Sequence, residues 1–363
     1  MAETVMDVQT QVRGQIGFIT LSRPRALNAL NLEMVRTLMA ALLAWQDDAS
    51  VLAVAIRGSN KEGPFGAFCA GGDIRFLHQA GLQGNPQIED FFTEEYALNH
   101  LIHNYPKPYI AFMDGIVMGG GMGISQGAAL RIVTERSKLA MPETAIGLFP
   151  DVGGGYFLSR CPGHTGEWLA LTGDAIGAGD AVALGLADGC MAIDQQVPLW
   201  DALGTQDFVD GAAIKNFVSS KFIAAHADTS SARGPIDHYF ALDSVGAIVT
   251  ALEAAGSDWE RTTAATLRKR SPLMLYVVLA QIRRARTLGL ADDLRMERDM
   301  VRHCFYLRPG QSETLEGIRA LAVDKDQMPR WQPARIEDVT PEMVMPFFVS
   351  PWPAYAHPLA ALV

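Results

Sequence analysis

Two carboxylate side chains, Glu143 and Asp151, stand close together in Met141–Gly155, a segment rich in proline and glycine. Turn-forming residues on both sides argue against a long solvated helix here. In an apolar, turn-rich setting, burial raises the pKa of a carboxyl group, which suits it to general acid–base or nucleophilic chemistry. The segment is therefore a candidate catalytic element.

Two glycine-dense turns precede these acids in the chain. They are Cys69-Ala-Gly-Gly-Asp73 and Met118-Gly-Gly-Gly-Met122, and each follows an apolar run and precedes a predicted helix. Glycine lets a backbone turn sharply and approach a ligand closely. A helix capped by Asp73 would place the N–H groups near Ala70 and Gly72 at its positive end. Each turn alone is also compatible with tight packing, but the two together favour a two-donor oxyanion hole.

The bulk properties exclude several classes of protein. With 363 residues, 49% of them hydrophobic, the chain can build a substantial core. A formal net charge of −10 argues against nucleic acid or an anionic membrane as the partner. Neither CxxC spacing nor clustered histidines accompany the cysteines, so we expect no metal site and no disulfide framework, only buried thiols at Cys69, Cys161, Cys190 and Cys304. The absence of a secretory leader and of an apolar run of ~18 residues predicts a cytoplasmic protein.

The order of apolar patterns predicts an α/β fold. Strand-like runs, such as Ile16–Leu21 and Tyr109–Phe112, alternate with helix-period segments, such as Leu32–Trp45. After about residue 220 the strands fade, and Trp259–Leu288 and Leu294–Phe305 are predicted to be helical. We therefore expect a catalytic core over 1–220 and a mainly helical region over 221–363. Basic residues of the second region form either a solvated helix face or a phosphate-binding rim, and they are Arg268, Lys269, Arg270, Arg283, Arg284 and Arg286.

The motifs resemble those of the crotonase (enoyl-CoA hydratase/isomerase) superfamily over about residues 15–190. The matching segments are Leu21–Leu30, Ala67–Ile74, Lys107–Ala111, Gly115–Gly121 and Pro142–Glu143. Within that superfamily, the chain is most similar to a hydrolase branch. The features that it shares with this branch are Phe68–Arg75, Glu94–Tyr96, Met141–Phe157 and the helical tail with Glu316–Ala320.

The resemblance implies a fold, a substrate and a set of site residues. The fold is a crotonase-type spiral of ββα units followed by a helical C-terminal region, and the substrate is a coenzyme A thioester. By the same resemblance, the backbone N–H groups of Ala70 and Gly120 would hold the thioester oxygen. Positions lining the CoA channel are matched by Arg25, Ala26, Leu27 and Ile74, and positions that contact the substrate are matched by Glu95, Gly120, Glu143 and Asp151.

One departure from the family pattern bears on the reaction. Hydratases of the superfamily carry two glutamates that share a water; this chain keeps the second, Glu143, and has Gly123 at the position of the first. A single glutamate poorly supports hydration of a double bond, whereas Glu143 could attack a thioester carbonyl or activate a water that does so. Asp151 could bind a substrate 3-hydroxyl or manage the proton of the leaving thiolate. These expectations favour hydrolysis of a short 3-hydroxyacyl-CoA, above all 3-hydroxyisobutyryl-CoA in valine breakdown.

Other functions stay open at this point. A hydratase or isomerase on the same fold is one, and a non-catalytic CoA-binding protein is another. A serine hydrolase is suggested by Gly123-Ile-Ser125-Gln-Gly127, but the expected turn at Gly119–Gly121 places Ser125 inside the following helix rather than at an elbow. We expect no cofactor, since CoA is part of the substrate, and the sequence is compatible with a homo-oligomer.

Overall fold

The computed structural model describes residues 6–228 and 232–363. Contacts group the described chain into two compact units. The sheet unit comprises 6–72, 97–140 and 176–228, and the helical unit comprises 73–96, 141–175 and 232–363. The division expected at residue 220 treats the chain as two consecutive regions, whereas the helical unit also takes in two earlier segments. The functional division into domains stays a prediction.

All the named strands belong to the sheet unit. They are β1 Val8–Arg13, β2 Ile16–Leu21, β3 Ala53–Gly58, β4 Tyr109–Met113, β5 Ile116–Met118, β6 Leu130–Val133, β7 Lys138–Ala140 and β8 Gly189–Cys190. Six form one sheet in the order β1-β2-β3-β4-β6-β8, and the other two pair as β5-β7. β1 and β2 are antiparallel and every other pairing is parallel. The central strands β2, β3 and β4 are almost continuously buried, as parallel strands covered on both faces require, whereas the antiparallel edge strand β1 is largely exposed.

A repeated path connects the two sheets. The chain passes from β4 in the first sheet to β5 in the second, and then into a helix; β6 and β7 repeat the step. Two isolated parallel bridges join earlier segments of the chain to this pattern. Cys69 pairs with Val117 of β5, and Leu30 pairs with Gly72. The predicted crotonase-type spiral of ββα units is thereby confirmed.

Sixteen α-helices are described alongside these strands. They are α1 Leu32–Gln46, α2 Ile74–Gln83, α3 Gln87–His103, α4 Gly120–Gln126, α5 Gly154–Leu158, α6 Thr165–Thr172, α7 Ala178–Ala183, α8 Gln196–Leu203, α9 Gly211–Ser219, α10 Arg233–Phe240, α11 Val245–Ala254, α12 Asp258–Lys269, α13 Pro272–Ala285, α14 Leu290–Tyr306, α15 Glu313–Ile318 and α16 Pro341–Val344. No helix within 6–228 or 232–363 is long and apolar enough to cross a membrane.

The C-terminal part of the helical unit contains the predicted helices with one correction. The stretch expected to be helical over 259–288 is broken after Lys269, and Ser271 caps the next helix with Pro272 in its first turn. Proline disfavours a helical conformation in the preceding residue, so the break is encoded locally. No strand is described beyond Cys190, as the fading strand pattern predicted.

Candidate active site

The two glycine turns of the sequence lie side by side in the sheet unit. Cys69 donates its N–H to the carbonyl of Ile116 at 3.0 Å, and the carbonyl of Cys69 accepts the N–H of Met118 at 2.9 Å. A Cβ built on Gly71 would lie 3.8 Å from the backbone nitrogen of Gly120. The sequence predicted two separate donor turns, and strand pairing brings them into contact.

Close approach explains the glycines of the second turn. Gly119 has φ +48°, a left-handed conformation that side chains rarely adopt, and a Cβ on Gly121 would come within 2.3 Å of the Cys69 carbonyl oxygen. Gly120 is the first residue of α4, and its N–H donates to no acceptor among the described residues. This N–H is therefore available to a ligand, as first-turn N–H groups of helices are.

The other predicted oxyanion-hole donor, the N–H of Ala70, already has an acceptor within the protein. The N–H of Ala70 donates to the carbonyl oxygen of Leu27 at 3.0 Å. Ala70 must release or share this hydrogen bond before it can serve a thioester oxygen. Its role in an oxyanion hole thus stays a prediction, while the structure shows which bond would be exchanged.

The segment expected to line the CoA channel is a strained turn. Pro24–Ala26 forms a single 3-10 turn, after which Leu27 and Asn28 have φ values of +50° and +56°. The buried Asn28 side chain fastens the turn: its Nδ2 donates to the carbonyls of Ser59 and Ala67, both at 2.8 Å. The sequence analysis missed this role, although asparagine is the residue that best tolerates a left-handed conformation after glycine.

The predicted CoA-lining residues differ in exposure. Arg25 and Leu27 are exposed, and Ala26 is half-buried. Ile74, also half-buried, is the first residue of α2, and Asp73 caps that helix by accepting the N–H of Phe76 at 3.3 Å. The expected cap is therefore confirmed, and the CoA contacts themselves stay a prediction.

The three predicted acids lie in the helical unit and all are buried. Glu143 begins the 3-10 turn Glu143–Ile146, Asp151 follows it in the same glycine-rich segment, and Glu95 is on α3. Their exposed fractions are 7%, 6% and 2%. Glu143 Oε2 and Glu95 Oε1 have no hydrogen-bond partner in the described part of the chain. Buried carboxyl oxygens without partners are costly, and such atoms are typical of a site that awaits a substrate or water.

The acids differ in their tendency to ionise. Burial, reinforced by the charge of Asp151, raises the pKa of both Glu95 and Glu143 well above the usual range. Burial raises the pKa of Asp151 only to about 6, because the hydroxyl of Tyr96 donates to its carboxylate and opposes the shift. Burial therefore disfavours ionisation of Glu95 and Glu143, whereas the Tyr96 hydrogen bond favours the ionised form of Asp151. Neighbouring acids with separated pKa values can divide the roles of proton donor and acceptor.

Tyr96 is a site residue that the sequence analysis did not identify. Its hydroxyl lies 2.8 Å from Asp151 Oδ2, and the side chain is fully buried. The signal was its position next to Glu95 in a matching motif, but a tyrosine on a predicted helix is more often a core residue. Three more polar side chains contact the backbone that carries Asp151, namely Gln281 on α13 and Asp293 and Glu297 on α14.

Helix α4 accounts for two features of the sequence. Gly123, at the position that the resemblance matches to the first hydratase glutamate, is buried inside the helix. Ser125 is also buried there, and its Oγ donates to the Gly121 carbonyl oxygen at 2.7 Å. The prediction that Ser125 lies inside the helix, away from the turn, is confirmed.

Most of the basic cluster in the C-terminal region serves local contacts. Arg268 pairs with Glu253 and Glu337, Arg286 pairs with Glu167, and Arg270 donates to the Thr172 carbonyl. Arg283 donates to the carbonyls of Leu242 and Asp243, and Arg284 lies over the ring of Phe348. These bonds favour the interpretation as a helix surface over a phosphate-binding rim. No group of three metal-ligating side chains is assembled within the described ranges.

Comparisons with known proteins find similar sequences and similar structures. The model of the family described as enoyl-CoA hydratase/isomerase matches residues 16–348. A Xenopus tropicalis protein named 3-hydroxyisobutyryl-CoA hydrolase, mitochondrial, is 38% identical, over 93% of this chain and 87% of that protein. Two solved structures are also similar. A carnitinyl-CoA dehydratase from Mycobacterium thermoresistibile has a TM-score of 0.88 at 35% identity, covering 96% of this chain and 98% of the other. An enoyl-CoA hydratase from Rhodobacter sphaeroides has a TM-score of 0.85 at 37% identity, covering 95% and 98%.

Proposed function

We propose that this chain, which belongs to the enoyl-CoA hydratase/isomerase family, hydrolyses short 3-hydroxyacyl-CoA thioesters, foremost 3-hydroxyisobutyryl-CoA in valine breakdown. The observation that carries the proposal is the make-up of its acids. Glu143 and Asp151 are buried beside one another in a polar cluster, whereas Gly123 occupies the place of the first of the two hydratase glutamates. The name of the similar Xenopus tropicalis protein supports the same reaction.

A hydratase or isomerase is the alternative with a specific observation behind it. The two similar solved structures are named as a dehydratase and a hydratase. Addition of water across a double bond uses two carboxyl groups that share one water, however, and Gly123 removes one of them. A non-catalytic CoA-binding protein is the weaker alternative, because it would have no use for three buried acids whose pKa values are raised.

The proposed reaction begins at the thioester carbonyl. The free N–H of Gly120, joined by that of Ala70 once its bond to Leu27 is exchanged, would hold the carbonyl oxygen as it becomes negative. One such donor contributes about 2.7–4 kcal/mol to transition-state stability. Glu143 then either attacks the carbonyl carbon to form an anhydride or takes a proton from a water that attacks. In both routes the C–S bond breaks and CoA leaves as a thiolate that must gain a proton. In the anhydride route, water then hydrolyses the anhydride, which releases the hydroxy acid and restores Glu143.

The protonation states of the cluster add a requirement. Burial raises the pKa of Glu143 and so favours its protonated form, and the group has to be ionised before it can act as nucleophile or base. Asp151, with a pKa of about 6, is the ionised neighbour that can receive the Glu143 proton. A proton on Asp151 is then available for the leaving thiolate. Asp151 would alternatively accept a hydrogen bond from the substrate's 3-hydroxyl, and Glu95 would contact the same acyl group.

The remaining expectations are part of the proposal. Hydrolysis consumes only water, so no cofactor is required beyond the CoA of the substrate. We assign the reaction to the cytoplasm, since the four buried cysteines, all within the described residues, form no disulfide and suit a reducing compartment. The similar Xenopus tropicalis protein is named as mitochondrial, so fractionation of cells that make this chain is the test of location.

The test of the reaction measures two products at once. Purified chain is given 3-hydroxyisobutyryl-CoA, isobutyryl-CoA and crotonyl-CoA, and free thiol and enoyl absorbance are followed together. We expect rapid thiol release from the first substrate and negligible loss of enoyl absorbance from the third. Rapid hydration of crotonyl-CoA without free thiol would overturn the proposal, and tight CoA binding without either product would favour a binding protein.

A further inference from the structure

The backbone that carries Asp151 is held in an unusual conformation. Val152 has φ +56°, which is a rare conformation for a β-branched residue, and Gly153 follows with φ +84°. Such a conformation costs of order 1–3 kcal/mol and persists only where surrounding groups enforce it. The segment therefore needs an external support.

Two side chains of α13 and α14 supply that support by direct hydrogen bonds. The carboxylate of Glu297 accepts the N–H of Gly153 at 2.7 Å and the N–H of Gly155 at 2.8 Å. Gln281 donates its Nε2 to the carbonyl of Pro150 at 2.7 Å and to Glu297 Oε1 at 3.1 Å. The bonds lie on both sides of Asp151, so they fix where its side chain begins.

A second carboxyl group extends the support. Asp293 Oδ2 accepts the N–H of Tyr156 at 2.8 Å, and a Cβ on Gly155 would come within 2.5 Å of Asp293 Oδ1. Gly155 is thus required to be glycine by the acid that packs against it. Asp293 and Glu297 are one helical turn apart on α14, so both reach the same backbone segment.

The electrostatic cost of this arrangement is high. Both acids are 0% exposed, and neither forms a salt bridge with any residue that the structure describes. Burial raises the pKa of Asp293 to about 7 and that of Glu297 well above its usual range. A buried carboxyl pair without a salt bridge is a poor way to stabilise a fold, since apolar side chains of similar size do so at lower cost. The position of these two acids is better explained by the backbone segment whose N–H groups they accept.

We propose that Glu297, together with Gln281, is a positioning residue for Asp151: it fixes the 150–156 backbone and thereby sets the place of the Asp151 carboxylate. This inference rests on the function proposed above, in which Asp151 contacts the substrate or its proton. Glu297 touches no reacting atom in this role. It acts through the two N–H groups and the carbonyl that flank Asp151.

A matched control is available on α6. Glu167 is also 0% exposed, and its carboxylate contacts Arg286 at 2.6 Å and His164 at 3.2 Å. None of these contacts involves residues 150–156. Glu167→Gln therefore disturbs a buried acid of the helical unit without touching the Asp151 segment. Glu297→Gln leaves one oxygen to accept an N–H and places an NH₂ donor against the other, so one of the two bonds is lost.

Hydrogen exchange tests the support without any substrate. In unliganded protein, at least one of the N–H groups of Gly153 and Gly155 should exchange at least about tenfold faster in Glu297→Gln than in the unchanged chain, as expected when one protecting hydrogen bond is lost. Glu167→Gln should leave these two positions unchanged. Equal protection in all three proteins would overturn the inference, whatever reaction the chain catalyses.

A double-mutant cycle tests whether the support acts through Asp151. Displacing a catalytic group by about 1 Å costs on the order of 10²-fold in rate. We therefore expect Glu297→Gln to lower kcat/KM for 3-hydroxyisobutyryl-CoA by that amount in the unchanged chain, but by less than about twofold when Asp151→Ala is already present. Glu167→Gln should keep near-normal kcat/KM. Equal losses in both backgrounds would show a general structural effect and overturn the inference.

A second variant guards against loss of folding. Gln281→Met keeps the size of the side chain and removes its bonds to the Pro150 carbonyl and to Glu297 Oε1, while leaving both N–H bonds of Glu297 in place. It should give the same pattern of non-additivity with a smaller loss, and additive losses would again contradict the inference. If the unchanged chain releases no thiol at all, the proposed function has failed, and the exchange measurement alone still decides whether Glu297 holds the segment.

Discussion

The hydrogen bond from Tyr96 to Asp151 sets the pH range in which the site can work. The hydroxyl lies 2.8 Å from Asp151 Oδ2 and favours the ionised form, in opposition to burial, so that the pKa stands at about 6. A hydrogen bond to a charged group contributes about 1.5–3 kcal/mol, and one pKa unit corresponds to about 1.4 kcal/mol. Tyr96→Phe should therefore raise the pKa of Asp151 by about 1–2 units, to about 7–8.

The pH profile of kcat/KM measures this shift. If the reaction needs an ionised Asp151, activity in the unchanged chain falls as pH drops through about 6, and Tyr96→Phe moves this acid limb upward by about 1–2 units. The variant should lose most activity near pH 6.5 and regain much of it at pH 9. Thiol release from 3-hydroxyisobutyryl-CoA over pH 5–9, with kcat and KM determined separately, gives the profile.

Tyr109→Phe is the matched control for this experiment. The Tyr109 side chain is also buried, but its hydroxyl has no hydrogen-bond partner among the described residues. Its removal changes the volume of the core without removing a hydrogen bond, so the acid limb should stay in place. An unmoved acid limb in a folded Tyr96→Phe protein, or an equal shift in Tyr109→Phe, would refute the assignment of the limb to Asp151.

Three further outcomes are expected. Glu143→Gln should lower kcat by roughly 10²–10⁴ while calorimetry shows unchanged CoA affinity, and a near-normal kcat would remove Glu143 from the mechanism. Gly120→Pro should abolish turnover by deleting the N–H, whereas Ser125→Ala should keep most activity because its Oγ bonds only within α4; a folded but inactive Ser125→Ala protein would contradict this. Asp151→Asn should stabilise the unliganded protein at high pH. The folded-state pKa of Asp151, about 6, exceeds the ordinary value of 3.8. Ionisation of Asp151 therefore leaves the free energy of unfolding unchanged below pH 3.8 and lowers it by its full amount, about 3 kcal/mol, above pH 6. Urea unfolding should show this gain at pH 8 and little of it at pH 4, and equal gains at both would contradict the pKa.

The parts of the site that sequence could predict are those encoded within a few residues. The turn at Gly119–Gly121, the helix that follows it and the cap at Asp73 all depend on local backbone preferences, and all three are confirmed. The break of the C-terminal helix at Pro272 was equally local and was overlooked.

The supports of the site depend on burial, which neighbouring residues do not encode. Asp293 and Glu297 stand one helical turn apart in a charged segment, a pattern typical of a solvated face, yet both are fully buried. Gln281 has no local signal either. The bond between the Ala70 N–H and the Leu27 carbonyl likewise joins segments far apart in the chain, and no spacing rule predicts it.

The separation in sequence of the groups around Asp151 has a consequence for biosynthesis. Tyr96 bonds to Asp151 across 55 residues, Glu297 bonds to Gly153 across 144, and Arg298 on α14 reaches Glu89 across 209. Contacts between such distant residues are slow to form, because the entropy of closing a long loop is lost before the contacts can stabilise the chain. While the ribosome is still adding α14, Asp151 has neither of its backbone supports from that helix and remains an ordinary solvated acid. We therefore expect a nascent chain stalled before residue 290 to show no thioesterase activity, even though every predicted catalytic residue has already been synthesised.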